Sequence, residues 1–164
     1  RVPRDPPQCT ALFDRGRNVI IRHDAVHPGI ATQTGDGLKV PVVRHADALD
    51  LEGIAAEIRR VSGAARDNKA KREELTGSTI TLTSLGSMGG IVSTPVINSP
   101  EVAIVGVNKI AVRPIYQDGA FVPRKIMNLS SSFDHRLIDG WDAAEFIQHI
   151  RGQQETPATL FMEP

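Results

Sequence analysis

The sequence predicts an α/β domain, a mixed sheet flanked by helices, and three features carry that reading. Leu51, Ile54, Ala55, Ile58, Val61 and Ala65 recur at helical spacing, Val102 to Val107 is a near-continuous apolar run, and Ile80 and Leu82 alternate with Thr79, Thr81 and Thr83. The first pattern belongs to an amphipathic helix, the second to a strand covered on both faces, the third to a strand with one apolar face and one row of hydroxyls.

Taken in order, the opening Arg1 to Pro7 holds three prolines without periodicity, so residues 1–7 are expected to be irregular and 8–164 to carry the fold. Asn18 to Arg22 and Gly29 to Thr34 read as short strands. Leu38 to Arg44 reads as a third, with Pro41 inside it as on a sheet edge or at a bulge. Asp50 precedes the helical run as its N-cap, and the charged stretch Arg66 to Glu74 closes it as a solvated turn. The hydroxyl-bearing strand, Ser78 to Leu85, breaks at Gly86-Ser87-Met88-Gly89-Gly90, which is no phosphate loop because no Lys-Ser/Thr follows it. Lys109 to Tyr116 and Phe121 to Lys125 flank Asp118-Gly119, a hairpin signal. Ile126 to Phe133 is the last strand, and Ala143, Phe146, Ile147 and Ile150 place one apolar stripe on a closing helix.

Composition removes several function classes. Lys and Arg number 19 and so do Asp and Glu, so the formal net charge is zero, without the basic excess of a nucleic-acid binder. Phe, Trp and Tyr make up 4% of the chain, too few for a base-stacking platform. The single cysteine, Cys9, excludes an intrachain disulfide and a multi-cysteine zinc site, fits a reducing compartment, and is given no role. His23, His27, His45 and His149 lack metal-ligand spacing with acidic or cysteine partners, so no metal site is expected and all four read as surface or packing residues. No apolar stretch approaches the roughly 20 residues that span a bilayer, so no membrane partner is expected.

Ser130-Ser131-Ser132-Phe133-Asp134-His135-Arg136-Leu137-Ile138-Asp139-Gly140 sets a histidine between a strand end and a helix start, a junction where sites are commonly built on α/β scaffolds. By itself Asp139 would be the N-cap of the closing helix. The whole segment, however, resembles the His-x-x-x-Asp-Gly signature of the catalytic domain of 2-oxo acid dehydrogenase dihydrolipoamide acyltransferases, shared with chloramphenicol acetyltransferase. Three further segments resemble that family in the right order: Gly29 to Val42, Thr79 to Gly90, and Thr94 to Ile104. Gly90 to Pro95 and Met127 to Phe133 are most similar to bacterial branched-chain members.

The resemblance implies a chloramphenicol-acetyltransferase-like fold and an acyl transfer between dihydrolipoamide and coenzyme A, with a branched-chain acyl group preferred. His135 matches the family's general base, and a neutral imidazole of pKa about 6.5 suits the deprotonation of a thiol of pKa about 8.5. Thr83 falls where the family has a serine that donates to the oxyanion, keeping the hydroxyl while adding a methyl that stiffens χ1. Asp139 matches an aspartate that holds the histidine loop through an ion pair with an arginine earlier in the domain, and no counterpart of that arginine is evident upstream here. Coenzyme A contacts carry over to Thr83, Ser84, Gln33 and Asn108.

By the same resemblance, residues 8–164 are the C-terminal part of the catalytic domain, the lipoamide being carried on a lipoyl domain outside this chain. The implied partners are a homotrimer built into 24- or 60-subunit hollow cores, with 2-oxo acid decarboxylase and dihydrolipoamide dehydrogenase components. The compartment implied is the cytoplasm of a bacterium, or the mitochondrial matrix if the source is eukaryotic. The alternatives are a stand-alone chloramphenicol-type O-acetyltransferase and a core subunit that keeps the fold without the activity. The Thr94 to Glu101 segment disfavours the first, and the His135, Asp139 and Thr83 set disfavours the second.

Overall fold

The computed structural model describes residues 7–161, so the irregular segment expected over 1–7 lies, Pro7 apart, outside the described residues. In chain order the elements are β1 (Leu12–Asp14), β2 (Val19–Ile21), β3 (Pro28–Ile30), β4 (Thr32–Thr34), β5 (Gly37–Lys39), α1 (Leu51–Arg66), β6 (Ile80–Thr83), β7 (Ala103–Val107), β8 (Ala111–Gln117), β9 (Ala120–Ile126), β10 (Leu129–Phe133) and α2 (Gly140–Glu155). A central mixed sheet has the order β10-β7-β6-β3, with β10 antiparallel to β7 and the other two pairings parallel. The remaining strands form three antiparallel ribbons: β1 with β2, β4 with β5, and β8 with β9.

The expected run from Gly29 to Thr34 is one stretch of sequence divided between two sheets. It breaks at Ala31, whose N–H donates to Leu82 O (2.9 Å), so β3 stays on the central sheet and β4 turns away to pair with β5. The expected strand from Leu38 to Arg44 is likewise shorter: β5 stops at Lys39, before Pro41, because a proline nitrogen offers no ladder donor. Beyond it, Val42 only bridges Gly29. The stretch after α1 holds a short 3-10 turn, Arg72–Leu75, drawn back to the helix where Arg60 pairs with Glu57 and Glu74 at 2.6 Å each.

Parallel strands need a crossover, and the two crossovers differ. Between β3 and β6 the chain runs through α1, N-capped by Asp50, whose carboxylate accepts from Gly53 N at 2.7 Å. Val61, Ser62 and Ala65 form the buried side of α1, and Thr32 on β4 donates to the Ser62 hydroxyl (3.4 Å). The helix therefore packs on the β4–β5 ribbon rather than squarely on the central sheet. Between β6 and β7 there is no α-helix at all, only an irregular loop containing the glycine cluster. That loop builds the cleft described below.

The core gathers Cys9, Ala11, Ile80, Val102, Ala103, Val105, Ile138 and Phe146, with Phe133 meeting Phe146 edge-on at 6.2 Å. Cys9 is fully buried, and burial together with the nearby Asp142 pushes its thiol up to about 12. β7 is buried along most of its length, as a central strand with a near-continuous apolar run should be. The β8–β9 ribbon turns through Asp118 (φ 51°) and Gly119 (φ 88°), the two left-handed residues a tight hairpin turn requires.

Candidate active site

Thr83 is the last residue of β6, half-buried, and paired in register with Gly106 of β7. Its hydroxyl makes no hydrogen bond among the described residues, unlike Thr79 on the same face, whose hydroxyl accepts from His27 N at 3.0 Å. Thr83 and Ser84 at the carboxyl end of β6, Val107 and Asn108 at that of β7, and the connecting loop at Gly89, Gly90 and Val92 to Pro95 enclose a cleft of about 240 Å³. The carboxyl ends of adjacent parallel strands are the usual place for such a site.

Hydroxyl contacts fix the loop that walls this cleft. Ser130 Oγ accepts from Ser93 N (3.0 Å), Ser132 Oγ donates to Pro95 O (2.6 Å), and Asn128 Nδ2 donates to Ile91 O (2.9 Å). A side chain at Gly106 would meet Ser93 Oγ at 2.9 Å and Ser130 O at 3.4 Å, so the close approach of loop to strand requires glycine there. Ser93, Ser130 and Ser132 thus shape the site without having been singled out from sequence. Their signal, two serines on a strand and one on the loop facing it, has meaning only once β10 is known to lie under residues 91–95.

The other candidates divide. Ser84 Oγ accepts from Gly86 N (3.1 Å), which shapes the first turn of the loop. Asn108 is 7% exposed, and both hydrogens of its amide are committed, to Asn128 O (3.0 Å) and Ser130 Oγ (2.9 Å). Gln33, exposed on β4 with its amide donating to Thr34 O (3.3 Å), is not among the residues lining the Thr83 cleft. Neither is His135.

His135 sits in the tight turn between β10 and α2, exposed, with no hydrogen bond among the described residues. Around it the turn is well held. Asp134 N donates to Val102 O (2.8 Å), while Leu137 N (3.0 Å) and Ile138 N (3.1 Å) both donate to Asp134 O. Arg136 beside Asp134 holds that carboxyl below the usual carboxylate range, chiefly through their side-chain hydrogen bonds. Asp139 N-caps α2, accepting from Asp142 N at 2.9 Å, and has no ion pair among the described residues. Among the described residues no arginine bridges it, in keeping with the lack of an evident upstream counterpart, and its visible function is to start the helix.

Register sets the distance between the two halves. Thr83 is level with Gly106 at one end of β7, whereas Phe133 is level with Ala103 at the other and the His135 turn lies beyond it. At about 3.3 Å per residue, Thr83 and His135 are separated by more than roughly 10 Å along the strand direction.

A mixed sheet of this order, with one long crossover loop and a histidine turn beyond its antiparallel strand, is the fold of chloramphenicol acetyltransferase. Chloramphenicol acetyltransferase itself superposes with a TM-score of 0.51 at 14% identity, a likeness of fold alone. Residues 2–162 match the model of the 2-oxoacid dehydrogenases acyltransferase (catalytic domain) family, and the chain belongs to that family.

Among relatives, the chain is 64% identical over 160 residues to the lipoamide acyltransferase component of the branched-chain alpha-keto acid dehydrogenase complex of Pseudomonas putida, covering 98% of this chain and 38% of that protein. It is 41% identical over 157 residues to the dihydrolipoyllysine-residue acetyltransferase component of the pyruvate dehydrogenase complex of Staphylococcus aureus, covering 96% of this chain and 36% of that one. The chain thus spans well under half the length of these curated relatives. Among solved structures, the dihydrolipoamide acetyltransferase of Azotobacter vinelandii superposes with a TM-score of 0.91 at 36% identity, over 97% of this chain and 65% of that one. Its structure was used to study the roles of a serine, a histidine and an asparagine in its catalytic mechanism.

Proposed function

We propose that the chain is the C-terminal part of the catalytic domain of an acyltransferase at the core of a 2-oxo acid dehydrogenase complex, moving a branched-chain acyl group between dihydrolipoamide and coenzyme A. The observation that carries this reading is the Thr83 hydroxyl lining a cleft, more than a strand's half-length from His135, both without a hydrogen-bond partner among the described residues. Spacing supports it. In the Azotobacter vinelandii enzyme the serine and histidine studied for catalysis stand as many positions apart as Thr83 and His135, and the asparagine follows the histidine by the same step as Asp139 follows His135. The preference for a branched-chain acyl group rests on the higher identity to the Pseudomonas putida protein.

In this mechanism the neutral imidazole of His135 takes the proton of the coenzyme A thiol, and the thiolate attacks the carbonyl carbon of the acyl-dihydrolipoamide thioester. The tetrahedral oxyanion accepts a hydrogen bond from the Thr83 hydroxyl. Collapse breaks the bond to the dihydrolipoamide sulfur, which takes the proton back from the imidazolium. The placement of His135 and Thr83 at opposite ends of one chain's sheet supports a site whose two halves come from different copies, and by the family resemblance the working unit is the homotrimer, assembled into a larger core with decarboxylase and dihydrolipoamide dehydrogenase components. Within the cleft, Ser84 shapes the pantetheine approach through the loop turn it holds and Asn108 through its bonds to Asn128 and Ser130, while Gln33 is assigned no more than a peripheral contact.

The test is turnover of synthetic acyl-dihydrolipoamide with coenzyme A by the complete protein, measured beside melting temperature. His135→Ala should lower the rate by about 10²–10⁴ and Thr83→Ala by about 10²–10³, both with native melting. A His135→Ala protein with native turnover overturns the mechanism. Isobutyryl-dihydrolipoamide should be used faster than the acetyl substrate, and the reverse order overturns the branched-chain assignment.

A further inference from the structure

We propose that Asp134, Arg136 and Phe13 form a clamp that positions the His135 imidazole, an inference that rests on the reading of His135 as the general base. His135 makes no hydrogen bond of its own among the described residues, so its backbone and neighbours must set its direction. Those neighbours are joined across it. Asp134 Oδ1 accepts from the Arg136 backbone N–H (3.1 Å) and from Nε (2.9 Å), and Oδ2 accepts from Nη2 (2.5 Å). One carboxylate thereby closes a ring around both peptide units of His135. A bidentate guanidinium–carboxylate pair adds fixed geometry as well as attraction.

The clamp is seated on the fold at two points. Asp134 N is bonded to Val102 O at the entrance to β7, and the Arg136 guanidinium lies 4.4 Å above the Phe13 ring of β1. Phe13 is itself packed against the core, and its N–H is bonded to Pro100 O (2.9 Å). Arg136 retains 53% side-chain exposure, and an ion pair that open contributes little to folding. Its fork, stacked on an aromatic face, matches a requirement for position rather than for stability. A base displaced by about 1 Å can lose 10²-fold in rate.

The experiment is a double-mutant cycle in the complete protein, following coenzyme A thioester formation from synthetic acyl-dihydrolipoamide. Arg136→Met should lower kcat by about 10-fold or more with KM for coenzyme A unchanged, and Arg136→Lys, which keeps the charge without the fork, should fall between Arg136→Met and the native chain. Phe13→Leu should move kcat in the same direction. In a His135→Ala background, Arg136→Met should cause no further loss, because a positioning residue acts only through the group it positions. Losses that multiply in the double variant, or a native kcat for Arg136→Met, overturn the clamp while leaving His135 as base. Should Arg136→Met fail to fold, Arg136→Lys and Phe13→Leu decide through the same cycle. Native turnover by His135→Ala would instead remove the reading on which the clamp rests.

Discussion

Thr83 ends β6 and His135 lies in the turn just after β10, the two strands that flank β7, and the two residues sit at opposite ends of it: Thr83 is paired with Gly106, whereas Phe133, two residues before His135, is paired with Ala103. Under the proposed mechanism the His135 imidazole and the Thr83 hydroxyl face one thioester, which these positions, more than roughly 10 Å apart along the strand direction, do not allow within one chain. Complementation follows from this geometry. Chains carrying His135→Ala and chains carrying Thr83→Ala, each inactive alone, should regain activity when co-assembled, since some interfaces then join an intact histidine to an intact threonine. With random mixing in a cyclic assembly about a quarter of the sites should be whole. No recovery of turnover in the mixed particles would exclude a site shared between copies.

Asp139 caps α2, and its contribution is expected in stability before rate. Asp139→Ala removes the acceptor for Asp142 N and should cost about 1 kcal/mol, whereas Asp139→Asn, which retains an acceptor oxygen, should melt close to the native chain. Denaturant unfolding of the two variants checks this, and equal losses would show that the charge rather than the cap matters.

Cys9 is fully buried with its thiol pushed up to about 12, first by burial and then by the charge of Asp142. The nucleophile is the thiolate, so at pH 8 native protein should leave a thiol reagent such as a disulfide dye unreacted, and one equivalent should react on unfolding. The sign is fixed: raising the pH within the native range increases reactivity only slightly, because the folded thiol remains protonated below its raised pKa. Rapid labelling of native protein at pH 8 would contradict the core position.

The chain end carries a 3-10 turn, Pro157–Phe161, with Phe161 75% exposed. An aromatic side chain that open is expected to be covered by another copy in the assembled particle. Deletion of 159–164 should break large assemblies into smaller species on size-exclusion chromatography while melting temperature is retained, and an unchanged elution profile would reject the anchoring role.

The local readings depended on short-range rules and were legible in the residues. Asp50 and Asp139 are caps because a carboxylate before a helix can reach the third N–H beyond it, and Asp118-Gly119 is a hairpin turn because both residues tolerate positive φ. The alternation around Ile80 and Leu82 and the apolar run in β7 give the two central strands their faces, and the His135 to Gly140 segment by itself resembles the family. Other features were decided by contacts between distant segments. Ala31 splits one apparent strand because its N–H finds Leu82, some fifty positions away, and the loop over Thr83 is held by serines of β10 that no local pattern connects to it. Asn108 is assigned to the coenzyme A channel by resemblance alone, and only packing shows both amide hydrogens spent on Asn128 and Ser130. The separation of Thr83 from His135 belongs to the same class. Sequence names the two residues and their order, but strand direction and register are set by which segments pair, and pairing is a property of the whole folded sheet.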